Sequence, residues 1–327
     1  MDAILEAGSQ HCPPVIVGVG IGGNFDLTAN LASRATYREI GSINPHPVLA
    51  AMEERLTEAA NATGFGPMGG RQHHGAGRVY RLRLRVRLYA RRGVLQLPDR
   101  PPCQGSPAQR RTRGTAVLMA TVHLQCPPFA EAIAALEIGD LVYLSGEVVV
   151  TGGLPAHKRM IEYLDKDLPL PLAMDGVFVH IPHMIEERAD GGYDIHYVNP
   201  TTSRRFDGYM PRLIRAFDLK IVGGKGGLGP DVTAAMEEKG CVYLSLLGGG
   251  SPILSEAIKE VLAVEWRDFP PHFRLSKMRV EKLGPLTVGI DARGTSIYQR
   301  LEDGARERLP AIMATLAQRR DAAEKRN

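Results

Sequence analysis

Residues 199–229 read NPTTSRRFDGYMPRLIRAFDLKIVGGKGGLG, and this stretch constrains the fold more than any other part of the chain. Asn199-Pro200 punctuates a turn. Thr201, Thr202 and Ser203 follow, where hydroxyls cap a helix N-terminus. The spacing of Tyr209, Met210, Leu213, Ile214 and Phe217 predicts an amphipathic helix. Leu219 to Val222 reads as a short buried strand running straight into a glycine-rich loop around Lys225. The same residues carry anion chemistry. Helix N-termini offer unpaired N–H groups and arginine forks onto carboxylates. Thr201, Arg205 and Lys225 could therefore converge on one carboxylate-bearing ligand. A capped helix with solvated basic residues satisfies the same pattern, and both readings stand at this point.

Downstream the alternation continues. Asp231 to Lys239 and Pro252 to Leu262 read as helices, and Cys241 to Leu247, Leu275 to Val280 and Leu286 to Ile290 as strands. Asp291 to Gly294 is a turn, and a helix begins at Tyr298. Upstream, Pro128 to Leu136 is a short helix. Two strands, Leu141 to Leu144 and Glu147 to Thr151, flank a Ser145-Gly146 turn. A helix over Ala156 to Leu164 carries His157 near its start, where it either touches a ligand or has the more ordinary surface or capping role. Gly176 to His183 is a strand, followed by an acidic hairpin over Glu186 to Asp194. Strands alternating with helices point to a layered α/β domain.

Charge is unevenly placed. The 327-residue chain carries a net +4, yet twelve arginines, no lysine and one acid, Asp99, lie between Arg71 and Arg113. The remainder has 28 basic and 35 acidic residues, a net of −7. A basic arm for nucleic acid would explain such a run, but aromatics for base stacking are few and no nucleic-acid module is present. A poorly ordered junction is the expectation, and nucleic acid is not expected as a partner. Within the run, Arg81 to Leu88 alternates with period two, as a strand with one cationic face would. No apolar run is long enough to span a membrane and no signal pattern opens the chain, so the expected compartment is the cytoplasm. The four scattered cysteines do not suggest a disulfide framework.

Near the N-terminus, Val15 to Val19 reads as a strand and Leu27 to Tyr37 as a helix. Gly18, Gly20 and Gly23 between them fit G-x-G-x-x-G nominally, although the strand itself contains the first glycine. Close approach of backbone explains glycines equally well. Val48 to Thr63 reads as an acidic amphipathic helix. Cys12 is either a small buried hydrophobe or a thiolate facing a cofactor.

Two blocks resemble the iron–sulfur hydro-lyases of the class I fumarase and L-tartrate dehydratase family. CPPVIVGVGIGGN, with GSINPHP and GFGPMG behind it, is similar to the end of the family's α region. IGDLVYLSGEVVVT, AHKRM, NPTTSRRFDGY, GGKGGLGP and TVGIDARGTS are similar to its complete β region. The resemblance implies an α/β fold, with a C-terminal swivelling β/β/α-type domain preceded by a partial α/β domain. It divides the chain into 1–70 (partial α-type domain), 71–118 (arginine-rich junction), 119–300 (substrate-binding β-type domain) and 301–327 (helical tail). It implies a [4Fe–4S] cluster with Cys12 as the one ligand present of three, and reversible addition of water to a C4 dicarboxylate. Thr201 would be the base, with Arg205 and Lys225 as the substrate clamp. A homo-oligomer, or a complex with an α-type subunit, would complete the assembly. The alternative is a catalytically incomplete fragment or β-type subunit that binds dicarboxylate. Three departures stand out. The family's other two cluster cysteines and its proposed aspartate acid precede the Cys12 block, and the chain is expected to lack them. Gly153-Leu154 replaces an arginine-aspartate pair before A-H-K-R. Lastly, the arginine-rich run replaces the end of the α region, as a join between two neighbouring reading frames would.

Overall fold

The computed structural model describes residues 1–8, 10, 16–22, 24–39, 41–65, 83–88 and 120–324. Cys12, Gly23, Cys103 and all of 71–118 except 83–88 therefore lie outside the described residues. The N-terminal elements are α1 (Asp2–Ala7), β1 (Ile16–Ile21), α2 (Phe25–Thr36), α3 (Pro47–Ala62) and β2 (Arg83–Leu88). β2 pairs in parallel with β1, so the period-two alternation there does form a strand. Asn24 caps α2 by accepting the Leu27 N–H. The glycines of β1 serve packing. A Cβ on Gly18 would sit 2.0 Å from the Ala32 carbonyl oxygen, and one on Gly20 2.1 Å from that of Thr28. Both glycines lie within the strand and admit the α2 backbone, which removes the need for a dinucleotide reading.

The larger region contains β3 (Thr121–Cys126), α4 (Ala130–Ala134), β4 (Leu141–Val150), α5 (Leu154–Asp165), β5 (Val177–Val179), β6 (His183–Glu187) and β7 (Tyr193–Val198). These are followed by a 3-10 turn at Ser203–Phe206, α6 (Met210–Ala216), β8 (Ile221–Gly224), α7 (Pro230–Lys239), β9 (Val242–Ser245), α8 (Ser251–Ala257), β10 (Ile258–Glu265), β11 (Leu275–Ile290) and α9 (Ile297–Glu324). β3, β4, β5, β8 and β9 run parallel, in the order β3-β4-β5-β8-β9. β11 then pairs antiparallel with both β9 and β4, so the pairings close a circuit of five strands, and β10 adds to β11.

Alternation along each strand sorts side chains between two cores. Val177 and Val179, Ile221, Val242 and Leu244, and Met278, Val280 and Leu283 fill one of them. Their neighbours Phe178, Val222 and Tyr243 fill the other, against Met160 of α5, Met210, Leu213 and Ile214 of α6, and Val232 and Met236 of α7. Each such fully buried side chain contributes about 1.5–3 kcal/mol of apolar transfer. A third cluster joins Ile4, Ala60 and Phe65 to Leu301 and Ala305 of α9. The structure is thus mixed α/β.

Several expected elements differ. Leu141 to Val150 is one strand, because Gly146 is paired with Cys126 on one side and Val280 on the other, not turned. Likewise β11 runs unbroken through Gly284-Pro285, with register shifts between Val280 and Leu286 absorbing the irregularity. The expected helix Pro252 to Leu262 stops at Ala257, and its second half is β10. Register shifts between Ile258 and Glu260 and between Val261 and Ala263 stretch the buried spacing to three, which imitates a helical face. Gly176 to His183 likewise divides between β5 and β6, and β6 forms a separate hairpin with β7.

Candidate active site

Parallel α/β sheets present ligands with the carboxyl ends of their strands. Here β5 leads into His180 and β8 into Lys225, and the turn after Pro200 is laid between them. The Thr201 N–H donates to the His180 carbonyl at 3.0 Å, and the Lys225 N–H donates to the Thr201 carbonyl at 3.0 Å. The Ser203 N–H in turn donates to the Lys225 carbonyl at 2.8 Å, and Thr202 and Lys225 form a parallel bridge. The backbone alone therefore ties Thr201 and Lys225 together across residues distant in sequence.

Arg205 completes the group. Its Nη2 donates to Thr201 Oγ1 and its Nε to the Thr202 carbonyl at 3.2 Å. Thr201 itself is buried. Three expected site residues thus converge, whereas the expected hydroxyl caps do not form. Thr202 precedes the 3-10 turn without a side-chain capping bond, and α6 begins after Tyr209, also uncapped. The hydroxyls of Thr201 and Ser203 are engaged elsewhere.

His157 is fully buried, contrary to a surface role. Its Nδ1 lies 2.7 Å from the Gly153 carbonyl, and its ring stacks on Phe206 at 3.9 Å. Burial pulls its pKa down to about 4, opposed by the Gly153 hydrogen bond and reinforced by the Arg205 charge. His180, equally buried, bonds Ser203 Oγ through Nδ1 at 2.8 Å, and Ser203 Oγ lies 2.9 Å from the Tyr243 hydroxyl. Burial first, then the His157 and Arg205 charges, hold His180 well below its usual pKa, so it is neutral. Asp207 closes the far side. Its Oδ2 accepts the Gly229 N–H at 3.1 Å and pairs with Arg204 Nε at 3.3 Å, fixing the glycine loop. Burial raises its carboxyl to about 6 against those two partners.

Sequence reasoning missed His180, Ser203, Tyr243, Phe206 and Asp207. One signal was available: a histidine ending the otherwise apolar run Val177–Val179 has to find a buried partner. Gly153 also gains an account. A Cβ there would lie 2.6 Å from that of Phe273, so the phenylalanine occupies the space a longer side chain would need.

The described residues do not fit an iron–sulfur cluster. No group of three or more His, Cys, Asp or Glu among them is placed to hold a metal. Cys126 and Cys241 are buried, and burial pushes the Cys126 thiol up to about 12 and the Cys241 thiol higher. Both stay protonated, whereas a cluster binds thiolate. No helix among the described residues is long and apolar enough to cross a membrane.

The family model described as the fumarase C-terminus matches residues 95–301, and that described as fumarate hydratase matches residues 1–91. A putative class I fumarate hydratase of Geobacillus stearothermophilus is 26% identical over 94% of this chain and 64% of its own length. A putative L(+)-tartrate dehydratase subunit beta of Methanocaldococcus jannaschii is 28% identical over 55% of this chain and 93% of its own length. The L(+)-tartrate dehydratase subunit beta of Escherichia coli K12 is 28% identical, covering 53% and 85% respectively. The chain therefore spans less than two thirds of the Geobacillus relative and most of the length of the two subunits.

Proposed function

This chain belongs to the fumarase family, and on that premise we propose that it is a hydro-lyase component acting on a C4 dicarboxylate, adding or removing water reversibly. The observation that carries this reading is the convergence of Thr201, Arg205 and Lys225 at the ends of two parallel strands. A threonine hydroxyl is a weak base on its own, because its alkoxide is unstable at neutral pH. A guanidinium donating to Oγ1 favours negative charge on that oxygen as the proton is handed over. Arg205 and Lys225 also supply the cationic donors that a substrate carboxylate requires, the fork of arginine giving orientation and the ammonium a point charge.

The cluster implied by the resemblance, when bound, supplies a Lewis-acidic iron for a carboxylate and hydroxyl. Its ligands are not among the described residues, so Cys12 and a partner chain are the proposed source. Gly153 stands where the family has an arginine, with Phe273 filling the space beside it, and this points to a substrate whose second carboxylate is held otherwise. Anaerobic reconstitution of the full chain with iron and sulfide tests the reading, with and without an α-type subunit. Malate and tartrate dehydration are then followed by absorbance. A brown chromophore with turnover is expected in the two-chain mixture. If neither arises in either mixture, the hydro-lyase reading fails.

A second reading, a dicarboxylate-binding β-type subunit that turns over only within a complex, is favoured by the near-complete coverage of the two β subunits. Malate binding by the full chain without turnover, and turnover only on adding the α-type subunit, would select it.

A further inference from the structure

Beneath Thr201 and Lys225 lies a run of buried polar side chains that the proposed chemistry does not use. Ser203 is fully buried and stands between the base and the clamp, two residues after Thr201 and two before Arg205. Its N–H is already spent on Lys225, and its hydroxyl is shared between His180 Nδ1 and the Tyr243 hydroxyl. His180 is bonded at three points. Its N–H donates to the Gly223 carbonyl at 2.7 Å, its carbonyl accepts the Thr201 N–H, and its ring holds Ser203. The surroundings are shaped for this contact, since a Cβ on Gly224 would lie 2.1 Å from Ser203 Oγ and 3.2 Å from His180 Nδ1. Only glycine leaves room for the hydroxyl. Meanwhile His180 Nε2 is buried without a hydrogen-bond partner among the described residues. Leaving a buried imidazole half-satisfied is costly, and a nonpolar side chain would avoid that cost.

We propose that His180 is a positioning residue of the hydro-lyase site, acting through Ser203 to hold the Ser203–Phe206 turn so that Arg205 stays aimed at Thr201 Oγ1. This inference rests on the hydro-lyase reading. Backbone bonds already fix Thr201 and Lys225, but Arg205 reaches Thr201 only through the turn, and the Ser203 hydroxyl is the anchor at the start of that turn, beside the Arg204–Glu302 pair and the Phe206 ring on His157. Loosening it separates guanidinium from hydroxyl while leaving both cations near the substrate. The effect falls on the base more than on binding. Misplacement of a catalytic group by about 1 Å costs on the order of 10²-fold in rate.

The test uses the full chain with its α-type subunit, comparing kcat and KM for malate in Ser203→Ala, His180→Ala and His180→Asn. Malate binding to the full chain alone is measured by calorimetry. Asparagine places an amide nitrogen where Nδ1 stood, so it retains the bond to Ser203. Ser203→Ala and His180→Ala are expected to lower kcat roughly 10-fold or more, with KM and the malate dissociation constant within about 3-fold. His180→Asn is expected to recover kcat to within about 3-fold of the unaltered enzyme. Three results would each overturn the positioning role: kcat unchanged in Ser203→Ala, His180→Asn as impaired as His180→Ala, or a loss confined to KM. If His180→Ala fails to fold, Ser203→Ala and His180→Asn still decide. An unaltered assembly that neither binds nor dehydrates malate overturns the hydro-lyase reading itself, and the positioning role with it.

Discussion

At the scale of single residues, the chemistry rests on one hydroxyl, so Thr201→Ala is the sharpest substitution. In an active assembly it is expected to lower kcat by on the order of 10²–10⁴-fold, the range for loss of a positioned proton acceptor. Calorimetry should show malate binding largely intact, because Arg205 and Lys225 remain. Lost binding with unchanged turnover per bound substrate would contradict the role. Titration is governed by burial. His157 and His183 both have folded pKa values near 4, below the ordinary 6.5. Stability from keeping them neutral is complete above pH 6.5 and is lost as pH falls toward 4. Asp207 works in the opposite sense. Its folded value near 6 lies above the ordinary 3.8, so its contribution is complete below pH 3.8 and is lost as pH rises through 6. Two histidines outweigh one carboxyl, and net stability should fall on acidification. Asp207→Asn removes the opposing effect. Urea midpoints at pH 4.5 and 7.5 should show it gaining roughly 1–2 kcal/mol on the unaltered protein between those two values. An identical pH dependence would refute the assignment. The three convergent residues were legible through the NPTTSRR and GGKGGLGP motifs, whereas their residue types alone suit a capped, solvated turn equally well. His180 and Ser203 were not, because a polar pair inside a strand end shows its purpose only once the partner strand is placed.

At the scale of elements, β5, α5 and the 3-10 turn meet through aromatic packing of Phe178, His157 and Phe206. Phe206 is fully buried and covers the His157 ring, so Phe206→Ala opens a cavity under the site. A loss of about 3–5 kcal/mol is expected in urea unfolding. A change below about 1 kcal/mol would mean that the turn collapses without cost. The strand and helix pattern was readable wherever burial followed one period, as in α2, α3, α6 and α7. It misled where register shifts altered the period, in β10, and where glycine sat inside a paired strand, in β4 and β11. Pairing, not local preference, decided these cases. Gly20→Ala tests the same principle at the N-terminus. Backbone lies within 2.1 Å of the added carbon, so α2 must move off β1. Faster amide exchange along Ile16–Ile21 is the expected outcome, and unaltered exchange would show that the approach is not essential.

At the scale of the whole molecule, α9 connects regions that the sequence keeps far apart. Leu301 and Ala305 pack with Ala60 and Phe65, and Arg308 Nη2 donates to the Thr63 carbonyl. Ala305→Glu places an unpaired charge in that contact, which a buried site does not tolerate. Limited proteolysis should then cut within Pro47–Ala62 while the closed circuit of strands stays resistant. Equal resistance of both regions would show that α3 is held by other contacts. None of this was visible in sequence, because α9 reads as a solvated tail until its partner helix is known.

The attachment of α3 to α9 also orders events in time. A ribosome adds about 5–20 residues per second. Residues 1–65 are therefore made well before α9, and Ile4, Ala60 and Phe65 must wait for Leu301 and Ala305 before they are covered. The strand circuit, whose last member ends at Ile290, can close before α9 is finished. The Ala60–Phe65 end of α3 is thus sheltered after strands that are made later than it, and it is during those tens of seconds that a chaperone would find it open.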